Sequence, residues 1–340
     1  MINHPTLFIT HRGEWQQQAA LSCAPPELAI TMRRSPSKKE ILDLLPGMEF
    51  LITERTGVID ADIITSGTSL RLIQRLGSQT YDIDLLAAQA AGIPVCYLPV
   101  RGCTMVAEHL LMQMLALARR LREMMDVTRE ASDYGQPPRR CHEDYFAYNW
   151  AGLQNVIGLC GSTVGILGMG EIGTELARLM RGFGCTILYN KRSQLPPAVE
   201  RELGVQFASV DEMLARSDVV CMLLPFFPET EQSLEADFFA RMKQGSMFVS
   251  CGGSGVVEED ALAAALRAGH LSGAALDNFT FEPIAPNNPM LALASDPRAN
   301  IVLTPHVAAG TDAGRADERV GDFANLLRCL RDEPLRGRLV

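Results

Sequence analysis

The chain has 340 residues, more than one compact core usually serves, so two domains or one large α/β domain are expected, two being favoured. Hydrophobic residues make up 47% and charged residues 21%, a composition that excludes a disordered or membrane-embedded chain. The formal net charge of −9, from 31 basic against 40 acidic residues, excludes the basic footprint of a nucleic-acid partner or an anionic membrane surface.

The opening segment MINHPTLFITHRGEW lacks the basic start and apolar length of a signal peptide. The most apolar later stretch, Met105 to Ala118, carries Glu108 and His109 and is too short to span a bilayer. A cytoplasmic protein is expected. Its nine cysteines include Cys96, Cys185, Cys221 and Cys329 in apolar or strand-like contexts without C-x-x-C spacing, and they are read as reduced, buried thiols. No metal constellation is evident. His4, His11 and His270 are read as surface residues, and His142 has no partner legible from sequence.

From residue 27 to about 100, short apolar runs (LAITM, EFLIT, DIITSG, LRLIQRLG, IPVCYL) alternate with helix-like stretches (KKEILDLL, DLLAAQAAG), which predicts a parallel α/β sheet. From Thr104 to about Glu130 apolar residues recur at helical spacing (Met105, Leu110, Met114, Leu117, Leu121, Met124), predicting one long helix packed on a core. Between Tyr134 and Leu159 the chain is irregular and aromatic, an excursion suited to a subunit contact. A second series follows: TVGILG, a helix over Glu171 to Gly182, TILYN, SDVVCMLLP, SMFVSCG, a helix over Glu259 to Gly269, SGAALD and NIVLTPH. A last helix is expected over about Ala313 to Arg331. Two successive series imply two similar domains.

Within the second series, Thr163 to Arg192 reads strand, G-x-G-x-x-G, helix, strand, the context that the dinucleotide fingerprint requires. Gly168 permits the tight turn, Gly170 lets a pyrophosphate approach the backbone, and Gly173 packs helix on strand. The helix start at Glu171 and Ile172 offers N–H donors and positive potential. A flavin protein or a methyl-donor fold shares part of this pattern. The second strand ends in Asn190-Lys191-Arg192, where an acidic residue would hold the ribose hydroxyls of NAD. Asn190 leaves room for a 2′-phosphate and Lys191 or Arg192 supplies a cation, so NADP(H) is favoured over NAD(H); a solvated surface segment is the alternative.

Three later segments, PFFPETEQSLEADFFARMKQG, GVVEEDALAAALRAGHLSGAALDNFTFEP and NIVLTPHVAAGT, carry a family resemblance. Together with the phosphate turn, IQRLGSQTYDIDLLAAQAAGIPV and MVAEHLLMQMLALARRL, they make the chain resemble the D-isomer-specific 2-hydroxyacid dehydrogenases of the phosphoglycerate dehydrogenase type, over roughly residues 45 to 330. The resemblance implies two Rossmann-like domains with parallel sheets. One is a flavodoxin-like substrate domain from residues 1–104 plus 310–340; the other is a doubly wound dinucleotide domain over 105–309, with a dimerisation arm within 125–158 and a homodimer as the assembly. It further implies that His306, paired with Glu282, is the acid/base of hydride transfer, and that Pro225, Cys251, Gly252 and Asp277 join the cofactor site, Asp277 at the nicotinamide carboxamide. The residue types suit the chemistry, since a positioned imidazolium protonates the alkoxide as hydride reaches a ketone.

The family's substrate-binding arginine falls at Gly253 in this chain. Such an arginine fixes a carboxylate by a strong charge-assisted contact, so another cation or another substrate is required. The carboxylate-binding loop reads Gly77-Ser78-Gln79-Thr80-Tyr81, with added bulk at Gln79 and Tyr81. Gly102 and Met105 stand where relatives often have an asparagine and a serine. Arg101 beside them is the candidate replacement cation, from the opposite wall of the cleft. Glu108 and His109, the family's Ala-Glu-His, are read as structural. The expected activity is reduction of a small 2-oxo acid, or a related carbonyl, by NAD(P)H. The alternatives are a dinucleotide-binding redox sensor or regulator with weakened chemistry, and a reductase of a substrate without a carboxylate.

Overall fold

The computed structural model describes residues 3–54, 56–132, 134–311 and 319–340. The chain divides into two compact units, Met1–Thr104 with Ala309–Val340, and Met105–Ala308.

In the first unit, strands and helices alternate as β1 (His4–Thr10), α1 (Glu14–Ser22), β2 (Leu28–Arg34), α2 (Lys38–Leu44), β3 (Phe50–Glu54), α3 (Ala61–Ser66), β4 (Leu72–Leu76), α4 (Leu85–Ala90), β5 (Val95–Leu98) and the start of α5 (Arg101–Ala118). The sheet is parallel with order β2-β1-β3-β4-β5, the flavodoxin-like order. The sheet begins earlier than the sequence suggests, since β1 precedes residue 27 and lies inside the sheet, with Leu7, Phe8 and Ile9 fully buried. Each such side chain contributes roughly 1.5–3 kcal/mol of burial. DIITSG is a helix rather than an apolar strand. The Asp60 carboxylate accepts the Ile63 N–H and caps α3, which buries Ile63 and Ile64.

The second unit contains α6 (Leu121–Glu130), β6 (Thr163–Leu167), α7 (Glu171–Met180), β7 (Thr186–Asn190), α8 (Pro197–Leu203), β8 (Val205–Phe207), α9 (Val210–Arg216), β9 (Val219–Met222), α10 (Ala236–Arg241), β10 (Met247–Ser250), α11 (Glu259–Arg267), β11 (Gly273–Leu276), α12 (Pro289–Ala294) and β12 (Ile301–Leu303). Its parallel sheet runs β12-β11-β10-β9-β6-β7-β8, the doubly wound order that reverses between β6 and β9 and puts a crevice outside the carboxyl end of β6. Apolar residues of β9, β10 and β11 pack with α10 and α11 into its core.

The single long helix expected over Thr104–Glu130 is two helices, α5 and α6. Arg120 between them takes a left-handed φ of +50°; its guanidinium binds Glu123 and the Arg298 carbonyl, and the Ala118 carbonyl accepts from Ile157. Leu110, Met114 and Leu117 are core residues. Past the break α6 buries no residue, and Leu121 and Met125 are exposed. The segment 134–158 has no helix or strand.

In the first unit again, α13 (Ala324–Leu330) follows a short 3-10 turn at Val320–Phe323. The rest of the helix expected from Ala313, residues 313–318, lies outside the described residues. Cys96, Cys103 and Cys221 are buried, whereas Cys141 and Cys160 are exposed, so the cysteines are not uniformly buried. His4, His11 and His270 are partly buried rather than surface residues, hydrogen-bonded to Glu49, the Glu54 carbonyl and the Met242 carbonyl respectively. Among the described residues, no helix is long and apolar enough to cross a membrane.

Candidate active site

The turn after β6 divides its work among three glycines. Gly168 has φ +103°, and a Cβ there would lie 2.7 Å from the Leu223 carbonyl carbon; only glycine satisfies both conditions. Around Gly170, nothing among the described residues stands within 4 Å of the place a Cβ would take. Gly173 is crowded by the Gly168 carbonyl at 3.1 Å and Ile166 at 3.2 Å, so helix and strand meet closely here. Gly170 caps α7 without any side-chain cap bond. A helix start of this kind, with no side-chain cap among the described residues, is the type that a pyrophosphate fits. Glu171 is buried and Ile172 half-buried.

At the end of β7 the Asn190 amide donates to the Ala208 carbonyl at 2.8 Å, so it braces the neighbouring loop. Arg192 is exposed and has no side-chain partner among the described residues. Lys191 is partly buried.

His306 and Glu282 meet. His306 Nδ1 lies 2.6 Å from Glu282 Oε2, which leaves Nε2 without a partner among the described residues. Glu282 Oε1 accepts the Phe279 N–H at 3.0 Å and the Ser254 hydroxyl at 3.3 Å. Burial pulls the Glu282 carboxyl upward, but the bonds from His306 and Phe279 outweigh it and hold the group below its ordinary value. His306 has φ +53°, a left-handed conformation that is uncommon outside glycine.

That turn is fixed by Asp277, just past β11. The Asp277 carbonyl accepts the His306 N–H at 2.7 Å. Its carboxylate accepts Val307 N–H at 3.1 Å, Ala308 N–H at 2.8 Å and the Thr304 hydroxyl at 2.7 Å. Asp277 thus has an occupation besides the nicotinamide contact expected of it. His109 Nε2, Cys251 Sγ and an Asp277 oxygen lie within 4.8 Å of one another. These are soft-metal donor types, but the Asp277 oxygens already hold three protein donors, and burial, with Asp277 adding to it, keeps the Cys251 thiol well above its ordinary range. The three side chains are linked through others, His109 and Asp277 through the Thr304 hydroxyl and Cys251 through Gln113.

Gly253 is close-packed. A Cβ there would lie 2.8 Å from the Phe226 Cα, and the Gly253 N–H donates to the Leu224 carbonyl at 2.7 Å. Gly252 is similarly confined by Met222 and the Leu224 carbonyl. Pro225 and Phe226 are exposed. No side chain, arginine included, fits at 253 on this backbone.

In the first unit, Arg75 is buried and its Nε donates to the Gln79 carbonyl at 2.9 Å and to Asp82 at 3.2 Å, tying down the 77–81 loop. The Tyr81 hydroxyl donates to the Gln79 side chain at 3.0 Å. Arg101, the first residue of α5, is exposed and without a side-chain partner among the described residues. Sequence reading missed Ser254, Gln113 and Thr304. Thr304 was visible only as the first letter of Thr-Pro-His, and the other two carried no motif.

A family model for the D-isomer specific 2-hydroxyacid dehydrogenase NAD binding domain matches residues 111–308. The chain is 32% identical over 276 residues to the glyoxylate reductase of Aeropyrum pernix, covering 81% of this chain and 78% of that one. It is 31% identical over 288 residues to the D-3-phosphoglycerate dehydrogenase of Archaeoglobus fulgidus, covering 84% of this chain and 50% of that one. It spans about half the length of the curated phosphoglycerate dehydrogenases it matches. Among solved structures, the TT0316 protein from Thermus thermophilus superposes with a TM-score of 0.53 at 28% identity, over 98% of this chain and 100% of that one.

Proposed function

The chain belongs to the D-isomer-specific 2-hydroxyacid dehydrogenase family, and from that membership and the geometry of the second unit we propose that it reduces a small 2-oxo acid, or a related carbonyl, with a nicotinamide cofactor. The observation that carries the reading is the 2.6 Å bond between His306 Nδ1 and Glu282. A redox sensor has no need of such a pair. The cofactor would rest on the turn of Gly168, Gly170 and Gly173 at the N-terminus of α7, with Glu171, Ile172, Pro225, Cys251, Gly252 and Asp277 around it, and supplies the hydride.

The chain's own residues do the rest. With His306 as the imidazolium, Glu282 accepts its Nδ1–H and leaves the Nε2–H to pass to the carbonyl oxygen as negative charge develops there, the neutral Nδ1–H tautomer remaining. Ser254 and the Phe279 N–H keep the Glu282 carboxyl from turning away. With 253 closed to any side chain, Arg101 is the cation assigned to the substrate carboxylate. NADP(H) is the preferred cofactor, because the β7 end lacks an acid and offers the exposed Arg192, with Lys191, to a 2′-phosphate.

The assembly is a homodimer formed through the 125–158 arm, where Phe146 and Tyr148 are 70% and 87% exposed, an unusual surface to leave in water. Nine cysteines without C-x-x-C spacing suit a reducing compartment, the cytoplasm. Mixing the protein with NADPH or NADH and a panel of 2-oxo acids tests the activity by loss of nicotinamide absorbance. Tight cofactor binding with no turnover on any 2-oxo acid or simple ketone would reject it.

A further inference from the structure

His109 reads from sequence as a structural histidine of α5, and the proposed chemistry does not use it. Its ring nevertheless joins the site by a continuous chain. His109 Nε2 lies 3.0 Å from Thr304 Oγ1. The Thr304 proton is committed to Asp277 Oδ1 at 2.7 Å, so the threonine oxygen accepts and His109 carries its proton on Nε2. His109 Nε2 is also 3.5 Å from Asp277 Oδ1. One turn along α5, on the same face, the fully buried Gln113 gives Thr304 a second, longer donor at 3.4 Å and accepts from the Cys251 thiol. Burial holds the His109 imidazole below its ordinary value against the pull of Asp277.

The far end of this chain is the turn that carries His306. The Asp277 carbonyl holds the His306 N–H, and its two carboxylate oxygens hold Val307 and Ala308. A carboxylate free to rotate could not keep both N–H bonds, and His306 would lose what sustains its left-handed φ. Thr304 stops that rotation, and His109 holds Thr304.

We propose that His109 is a positioning residue for the His306 acid/base, acting through the Thr304 hydroxyl and the Asp277 carboxylate. The proposal rests on the reading of His306 given above. It assigns His109 no contact with substrate and no proton transfer to it.

The test compares substitutions at both ends of the link. His109→Leu keeps bulk but loses the donor, and kcat with the accepted 2-oxo acid should fall about tenfold, the effect of one hydrogen bond in a buried network. His109→Gln places an amide N–H near the position of Nε2 and should recover most of that loss, which a purely space-filling role would not produce. Thr304→Val should lose about as much as His109→Leu, and the double variant no more than the larger single loss, because both break one chain.

Unchanged turnover in His109→Leu, failure of His109→Gln to recover, or additive losses would each overturn the proposal. If His109→Leu does not fold, the predicted loss in Thr304→Val and near-normal turnover in His109→Gln still decide it. The His306 imidazole NMR signals provide an arm independent of turnover: they should shift in Thr304→Val and stay near wild type in His109→Gln. Absence of turnover in the wild-type protein would defeat the functional reading alone, with the NMR arm still testing the positioning chain.

Discussion

The Phe226 backbone fills the space into which a side chain at Gly253 would project, its Cα 2.8 Å from the place of the missing Cβ. On this backbone, position 253 has no room for the arginine that the family resemblance implies there. Gly253→Arg should destabilise the protein by about 1–3 kcal/mol, as overpacking does, without improving use of a 2-oxo acid. Arg101→Ala, removing the cation assigned in its place, should raise KM for that acid by about an order of magnitude. An unchanged KM rejects the assignment of Arg101.

Glu282 sets an acid limit on activity. Its folded-state pKa is depressed, so its partnership with His306 is fully present above the ordinary glutamate range and is lost as pH falls through the lower folded value. Turnover profiles of wild type and Glu282→Gln should show an acid-side loss below the usual carboxylate range in the first and not in the second. His306→Gln should lower kcat by about 10²–10⁴-fold at neutral pH, with cofactor binding retained in a fluorescence titration.

Arg192→Ala should weaken NADPH about tenfold and leave NADH nearly unchanged, since a guanidinium pairs with the 2′-phosphate and has no comparable partner on a ribose hydroxyl. Equal weakening of both cofactors in parallel titrations would place Arg192 elsewhere on the dinucleotide.

The first unit is held by a buried ion network. Glu54 accepts from Thr10 at 2.7 Å and Arg12 at 3.3 Å, and Arg319 reaches it at 3.2 Å while also pairing with Asp322 at 2.7 Å. Burial pulls the Glu54 carboxyl up, but Arg319 and Arg12 outweigh it and hold it below its ordinary value. The network's contribution is thus complete above the unfolded glutamate pKa, about 4.3, and lost as pH falls through the depressed folded value. Glu54→Gln should cost about 2–4 kcal/mol at neutral pH, and the gap in Tm between the two proteins should close as pH is lowered towards 3.

Much of this was legible in the chain because periodicity and glycine spacing are local. The phosphate turn and the strand ends follow from short motifs, whereas the pairing of Thr-Pro-His with Phe-Glu-Pro came only with the family resemblance. What sequence reading missed depends on contacts between distant residues. DIITSG has the letters of a strand and folds as α3 because Asp60 caps it and its isoleucines find a core. The apolar period runs unbroken through Arg120, yet the helix stops there because Glu123 and the Arg298 carbonyl hold that guanidinium. The partners of His109, Thr304 and Asp277, lie far along the chain, so no local pattern shows them.

Isotopic transfer follows the hydride from the nicotinamide to the substrate carbon. NADPH carrying deuterium at its transferable nicotinamide position is incubated with the protein and an accepted 2-oxo acid, and the product is analysed by mass spectrometry and chiral chromatography. Deuterium should appear on C2 of a D-2-hydroxy acid made by the wild-type protein, with labelled product reduced at least a hundredfold in His306→Gln. Product without the label, or equal labelling by the two proteins, would contradict hydride transfer with His306 as the proton donor.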